Sequence, residues 1–142
     1  QGLAAEIIPS PPEKRAKCPV CGMFVARYPD WVAQVAFTDG GHDHFDGTKD
    51  MFKYLFNLAQ YRPDKSEADI AALFVTEYYD MEMIDARHAF YVVGSDVYGP
   101  MGHELIPFRS REDADAFLAD HHGRQVLTFP EITPYVVRQL DP

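Results

Sequence analysis

The chain has 142 residues, of which 46% are hydrophobic and 25% are charged, and its formal net charge at pH 7 is −9. This length and composition are typical of a globular protein with one domain or two small modules. The acidic balance argues against a nucleic acid or an anionic membrane surface as the partner, because both attract basic proteins. No apolar run approaches the roughly 18–20 residues that a membrane-spanning helix requires.

We expect residues 1–17 to form a flexible tether ahead of the folded part. Pro9, Pro11 and Pro12 disfavour a helix there, and the segment has no apolar stretch of the signal-peptide kind. It could be the remainder that is left after a signal peptide is removed. The folded part is therefore expected to begin near Cys18.

The first half of the folded part is predicted to form two strands, a helix and a third strand. Aromatic and β-branched residues favour the strands, whereas apolar residues at helical spacing favour the helix. Asp46 is the predicted N-cap of that helix, and a polar helical turn is expected just before the third strand. The predicted strands are residues 31–37, 42–45 and 73–79, the helix is 48–61 and the turn is 66–72.

The second half repeats this order of elements. A hairpin rich in glycine, serine and proline joins its first two strands, and Ser110 with Asp113 resembles a capping box at the start of the helix. Gly123 is the candidate residue that ends the helix, and a tail flanked by Pro130 and Pro134 follows the last strand. The predicted strands are residues 89–93, 104–108 and 125–129, and the helix ends near residue 121.

These two series of elements predict an α+β fold of two similar strand–strand–helix–strand modules with mainly antiparallel sheets. Phe45 in the first series has a counterpart in Phe108 of the second. We expect the first module to occupy residues 18–80, and the second, with its C-terminal tail, to occupy residues 81–142.

The two cysteines, Cys18 and Cys21, lie in the run Cys-Pro-Val-Cys-Gly-Met that ends at Met23. Gly22 permits the backbone to turn so that the thiol of Cys21 and the thioether of Met23 face one point. Soft sulfur ligands favour soft ions, above all Cu(I). A redox-active dithiol stays open as an interpretation, although no convincing helix follows to lower a thiol pKa. Half of a zinc site, or an inert pair, also stays open, although a second Cys-x-x-Cys pair is missing.

Three further methionines and several polar residues are also candidate metal ligands. Met101 lies between Pro100 and Gly102 in a turn, where a large apolar side chain gains little from burial and could present its thioether to a metal. Met81 and Met83 would share one side of an extended segment, although packing is the simpler interpretation. The weaker candidates are His42, His44 and His103, with Asp39, Asp43 and Asp46 as harder ligands near the first two.

Two long motifs carry a resemblance to a known family. The first runs from Cys18 to Met23 and continues as Tyr-Pro-x-Trp-x-Ala-Gln at residues 28–34, and the second is Gly-Pro-Met-Gly-x-Glu-Leu-Ile-Pro-Phe at residues 99–108. Together they resemble the nitrous oxide reductase accessory protein NosL family, and the resemblance covers about residues 18–132. Shorter stretches at residues 84–86, 91–95, 114–117 and 128–129 are also similar to it.

The resemblance implies an α+β fold similar to that of organomercurial lyase, and a periplasmic Cu(I)-binding lipoprotein that supplies copper for nitrous oxide reductase. A membrane ABC-type transporter of the same system is the second partner it implies. Cys21 and Met23 match the thiolate and thioether of the first motif, Met101 matches the methionine of the second, and Cys18 also matches. Family members begin, after processing, with a lipid-modified cysteine, whereas this chain begins with Gln1. These residues therefore do not themselves support direct membrane attachment.

The sequence and the resemblance together lead us to expect a Cu(I) carrier that is not an enzyme. An alternative of another class is a thiol–disulfide oxidoreductase that uses Cys18 and Cys21. A third interpretation is an interaction scaffold in which the sulfur-containing residues are structural.

Overall fold

A four-stranded antiparallel sheet forms the first half of the chain. The computed structural model describes residues 7–141. The strands of this sheet are β1 Ala33–Phe37, β2 His42–Phe45, β3 Ile70–Thr76 and β4 Met83–Asp85. Their order across the sheet is β2-β1-β3-β4, so the central pair is β1 with β3.

Helix α1 Thr48–Phe56 follows β2 directly and packs against β1 and β2. Its apolar residues recur at helical spacing, and Met51, Phe52 and Tyr54 are buried. The short helix α2 Leu58–Tyr61 continues from it. The N-terminal turn of α1 therefore begins where the β2 edge strand of the first sheet ends.

A three-stranded antiparallel sheet and one helix form the second half. The sheet order is β8-β5-β9, and helix α3 packs on all three strands. A two-stranded hairpin, β6 with β7, projects between β5 and β8. The bounds are β5 Phe90–Val93, β6 Tyr98–Gly99, β7 Gly102–His103, β8 Ile106–Phe108, α3 Arg111–Asp120, β9 Gln125–Thr128 and a last helix α4 Pro134–Arg138.

One apolar core extends through both halves. The ring of Phe52 on α1 lies 5.7 Å from that of Tyr91 on β5 and 5.3 Å from that of Phe129, centroid to centroid. A smaller cluster around Phe117 fills the space between α3 and the second sheet. Because α1 buries its apolar face against residues of both sheets, the two halves are held together at this helix.

The predicted α+β class is confirmed, and both halves have the predicted order of two strands, a helix and a strand. One half of the capping box predicted for the second helix is present, since the Ser110 hydroxyl accepts a hydrogen bond from the Asp113 amide at 3.1 Å. Helix α1 is shorter than the predicted 48–61. It ends at Phe56 because Asn57 leaves the helical conformation, with φ −132° and ψ 41°, and donates its side-chain amide to the Lys53 carbonyl.

The third strand is displaced towards the N-terminus relative to the predicted 73–79. Strand β3 ends at Thr76 because Glu77 begins a turn, in which its carboxylate accepts from the amides of Tyr79 and Asp80. The first predicted strand, 31–37, is shorter for a similar local reason. Trp31 closes a 3-10 turn, Pro29–Trp31, and pairing starts at Ala33.

The predicted tether and module boundary differ from the observed contacts. Within residues 7–17, Ser10 is held by three hydrogen bonds, two with Gln34 and one with His44, and Lys17 forms a bridge with Phe24. Residues 1–6 of the predicted tether lie outside the described part of the chain. Strand β4 belongs to the first sheet, so that sheet extends past the predicted boundary between residues 80 and 81.

The predicted C-terminal tail contains helix α4, which packs on α1 and buries Val137. None of the helices in the described range is long and apolar enough to cross a membrane.

Candidate metal centre

The two cysteines lie in a tight loop that precedes the first sheet. The Cys18 amide donates to the Met23 carbonyl and the Gly22 amide to the Cys18 carbonyl, both at 2.8 Å. Gly22 has a φ of +79°, a left-handed conformation that glycine adopts without steric cost. The loop buries Cys18, which is 1% exposed, and leaves Cys21 half-buried. Neither cysteine forms a disulfide.

Each thiol faces a carboxylate from the start of helix α1. The Cys18 thiol donates to Asp50 Oδ2 at 3.4 Å, and the Cys21 thiol lies 3.3 Å from both carboxylate oxygens of Asp46. One donor atom from each of these four residues lies within 4.8 Å of the other three. We call these four residues the cysteine cluster: Cys18, Cys21, Asp46 and Asp50.

The role predicted for Asp46 as a helix N-cap is wrong. Gly47 occupies that position without a side-chain cap, and the Asp46 carboxylate accepts from Cys21 instead. Asp50 was missed by the sequence analysis. In the sequence it is an ordinary acidic residue of a helix start, and only the fold brings it to Cys18.

Burial favours the protonated forms of side chains in the cysteine cluster. It raises the pKa of the Cys18 thiol to about 11 and also raises the pKa of Cys21, with the neighbouring Cys18 and Asp46 adding to the effect. Burial likewise raises the pKa of Asp50. At neutral pH both thiols are therefore protonated, and a bound cation would displace those protons.

This arrangement suits metal binding better than thiol–disulfide exchange. A redox-active cysteine needs a depressed pKa, usually at a helix N-terminus, whereas Cys18 and Cys21 have raised values and belong to a loop. Two thiols and two carboxylates form a four-donor set that Zn(II) also accepts. The missing second cysteine pair is therefore weaker evidence against zinc than the sequence indicated.

The two methionines of the predicted site come from different elements, the cysteine loop and the β6–β7 hairpin. Met23 ends the cysteine loop and is half-buried. Met101 is at the tip of the β6–β7 hairpin and is 41% exposed. Its carbonyl accepts a hydrogen bond from the ammonium of Lys49, which is the residue before Asp50 on α1. This hydrogen bond of Met101 is therefore made by its backbone carbonyl and not by its thioether.

Of the secondary candidates, Asp46 belongs to the cysteine cluster, whereas the methionines and histidines lie outside it. Met83 accepts a hydrogen bond from the Thr76 hydroxyl at 3.2 Å, and it lines a cleft with Met81 and the proline-rich segment around Pro11. His44 is buried and binds the Ser10 carbonyl at 2.8 Å, and burial lowers its pKa. His103 packs on the ring of Tyr98.

Comparisons with known proteins agree with the fold and with the motif. The NosL family model matches residues 9–137. A copper-binding lipoprotein NosL of Stutzerimonas stutzeri is 33% identical over 131 residues, which are 87% of this chain and 65% of that protein. The chain thus spans slightly less than two thirds of that relative's length. A copper-binding lipoprotein NosL of Achromobacter cycloclastes is 48% identical over 59 residues, 41% of this chain and 30% of that protein.

Two solved structures have the same fold. The crystal structure of the copper chaperone NosL from Shewanella denitrificans matches with a TM-score of 0.72 at 25% identity, over 95% of this chain and 97% of that one. The solution structure of apo-NosL from Achromobacter cycloclastes matches with a TM-score of 0.52 at 31% identity, over 78% of this chain and 90% of that one. The cysteine loop, the two-sheet fold and these matches together show that the chain belongs to the NosL family.

Proposed function

We propose that the protein is a copper carrier that binds Cu(I) and passes it to another protein, without catalysing a reaction. The observation that carries the proposal is the cysteine cluster, in which two unoxidised thiols and two carboxylates converge in a loop that also bears a thioether. The names of the relatives, copper-binding lipoprotein and copper chaperone, support copper as the cargo.

The proposed ligands of Cu(I) are Cys21, Met23 and Met101, with Cys18 as a further thiol. Thiolate and thioether sulfurs are soft donors, and soft donors select Cu(I) over harder ions. The loop contributes three of these sulfurs and the β6–β7 hairpin contributes the fourth. In this proposal the cysteine loop of the first half and the β6–β7 hairpin of the second half face each other across the copper ion.

The exposure of the sulfurs supports a carrier that releases its ion. Cys18 is buried, Cys21 is half-buried, and Met101 is 41% exposed. A ligand from a recipient protein can therefore bind the copper ion from the Met101 side before the buried Cys18 thiol releases it. The raised thiol pKa values support the same conclusion, because protons compete with copper for both thiols.

We further propose nitrous oxide reductase as the final recipient and a membrane ABC-type transporter as a second partner. The membership of the NosL family supports both proposals. The lipoprotein names of the relatives support a periplasmic location with a lipid anchor ahead of the described residues.

Serine substitutions of the two cysteines test the proposal. We expect Cys21→Ser to abolish tight Cu(I) binding, because Gly22 ties this thiol to the Met23 thioether in one loop. We expect Cys18→Ser to weaken binding by about tenfold to a hundredfold. Anaerobic titration against a competing Cu(I) chelator measures both affinities.

Met81→Leu is the matched control for loss of an exposed sulfur, since Met81 is 43% exposed and lies outside the cluster. It should leave the Cu(I) affinity unchanged. If the wild-type protein instead reduces disulfides, and both serine variants lose that activity equally, the oxidoreductase function replaces the carrier.

A further inference from the structure

One buried lysine connects helix α1 to the hairpin that bears Met101. The backbone amide of Lys49 donates to Glu104 Oε1 at 2.6 Å, and its ammonium donates to the Met101 carbonyl at 2.8 Å. Glu104 comes directly after β7. The two contacts therefore hold the hairpin at its tip and just beyond its base, and both are made by the same residue.

The charge of Lys49 is buried, since its side chain is only 2% exposed. Burial of an ammonium is costly unless the group is paired and fully hydrogen-bonded. Asp141 supplies the opposite charge at 3.1 Å, and the Met101 carbonyl supplies a further acceptor. These two contacts therefore fix the position of the Lys49 ammonium, which in turn restrains the Met101 carbonyl.

The cysteine cluster is attached to the same turn of helix α1. Asp50, the next residue along the helix, accepts from Cys18, and Asp46, just before the helix, accepts from Cys21. Lys49 is thus the point at which the sulfurs of the cysteine loop and the Met101 hairpin are connected through one helical turn.

We propose that Lys49 is a positioning residue for the Met101 thioether, and that it holds the hairpin so that this sulfur can share a metal ion with the cysteine loop. The inference rests on the proposed Cu(I) function. The strands of the hairpin are two residues each, and its tip is exposed, so packing alone restrains Met101 weakly. A ligand that is held in advance loses less conformational freedom when the ion binds.

A double-mutant cycle tests the proposal. The variants are Lys49→Met, Met101→Leu and the combination, and Lys49→Met keeps an unbranched apolar stem while removing the ammonium. We expect Lys49→Met to weaken Cu(I) binding by roughly tenfold in the wild-type background and to have almost no further effect once Met101 is leucine. X-ray absorption should show one sulfur fewer per copper in Lys49→Met.

Lys53→Met is the matched control, because Lys53 also pairs with Asp141 and makes no described contact with Met101. It should leave both the Cu(I) affinity and the sulfur count unchanged. The melting temperature of metal-free Lys49→Met is measured first, and Lys49→Gln replaces it throughout the cycle if that variant is unfolded.

The outcomes separate this inference from the proposed function. If Lys49→Met weakens binding equally with and without the Met101 thioether, Lys49 acts on general stability and the positioning role is wrong. If the wild-type protein fails to bind Cu(I) against the chelator, the proposed function is wrong and this inference fails with it.

Discussion

Each cysteine thiol of the cluster is paired with its own carboxylate, Cys18 with Asp50 and Cys21 with Asp46. The cysteines are three residues apart in a loop and the aspartates are four apart across a helix start, so the two pairs lie side by side. Burial keeps the thiols protonated in the metal-free protein. The proposed copper ion must therefore displace protons from both thiols, which lowers its net affinity at neutral pH and makes transfer easier.

Met101→Leu distinguishes a ligand from a packing residue. Leucine keeps the volume and the apolar character of the side chain but removes the sulfur. Because Met101 is 41% exposed, we expect the free energy of unfolding of the metal-free protein to change by less than about 1 kcal/mol. The Cu(I) affinity, measured by chelator competition, should fall. A loss of stability of about 2 kcal/mol or more with copper affinity retained would show that Met101 serves packing.

At the scale of elements, the N-terminal turn of α1 is built around a buried carboxylate from the second half of the chain. Glu104 accepts from the amides of Lys49 and Leu105, and no room remains beside it. A Cβ atom on residue 47 would lie 2.2 Å from Glu104 Oε2, which explains the glycine at that position. Burial raises the pKa of Glu104 to about 8 despite the two amide donors.

Glu104→Gln should change how stability depends on pH. Because the folded-state pKa of Glu104, about 8, exceeds the ordinary value of 4.5, its contribution to stability is full below pH 4.5 and is lost as the pH rises towards 8. We expect the free energy of unfolding of the wild-type protein to fall relative to Glu104→Gln by up to about 1.4 kcal/mol per pH unit in this range.

Urea denaturation of both metal-free proteins at pH 5, 6, 7 and 8 measures that difference. The buried His44 titrates in both proteins, so its effect cancels when the two curves are subtracted. Parallel curves for the two proteins would contradict the role of Glu104.

The elements that the sequence predicts well are those with strong local signals. The cap at Ser110 is local and is observed, and strand β2 has the predicted bounds of 42–45. The break at Asn57 and the turn at Glu77 depend on single side chains that bond to the backbone, and periodicity does not reveal them. Asp46 has the residue type of an N-cap, and only the fold turns it towards Cys21.

The residues of the metal site also differ in whether a local sequence signal reveals them. The Cys-x-x-Cys run identifies the loop, because soft donors at short spacing are specific. The two carboxylates and Lys49 are ordinary residues of a helix start in the sequence. Their positions depend on packing between residues 25 or more apart along the chain, which is why local patterns miss them.

At the scale of the whole molecule, helix α1 joins the two sheets in one core and carries the contacts of both proposed ligand sources. The cysteine loop precedes the first sheet, and the Met101 hairpin projects from the second. In the proposed carrier, copper would add a link between the halves at the same helix. Copper would then be released on the side of the hairpin, since the hairpin carries the exposed Met101 sulfur.

The most direct test of this account is equilibrium dialysis of the reduced wild-type protein against Cu(I) and Zn(II) together, without oxygen, followed by metal analysis. The four-donor cysteine cluster alone would accept zinc, whereas the sulfurs of Cys21, Met23 and Met101 together favour Cu(I). The account predicts that the protein retains Cu(I) in the presence of Zn(II). Full loading with zinc and exclusion of copper would contradict it.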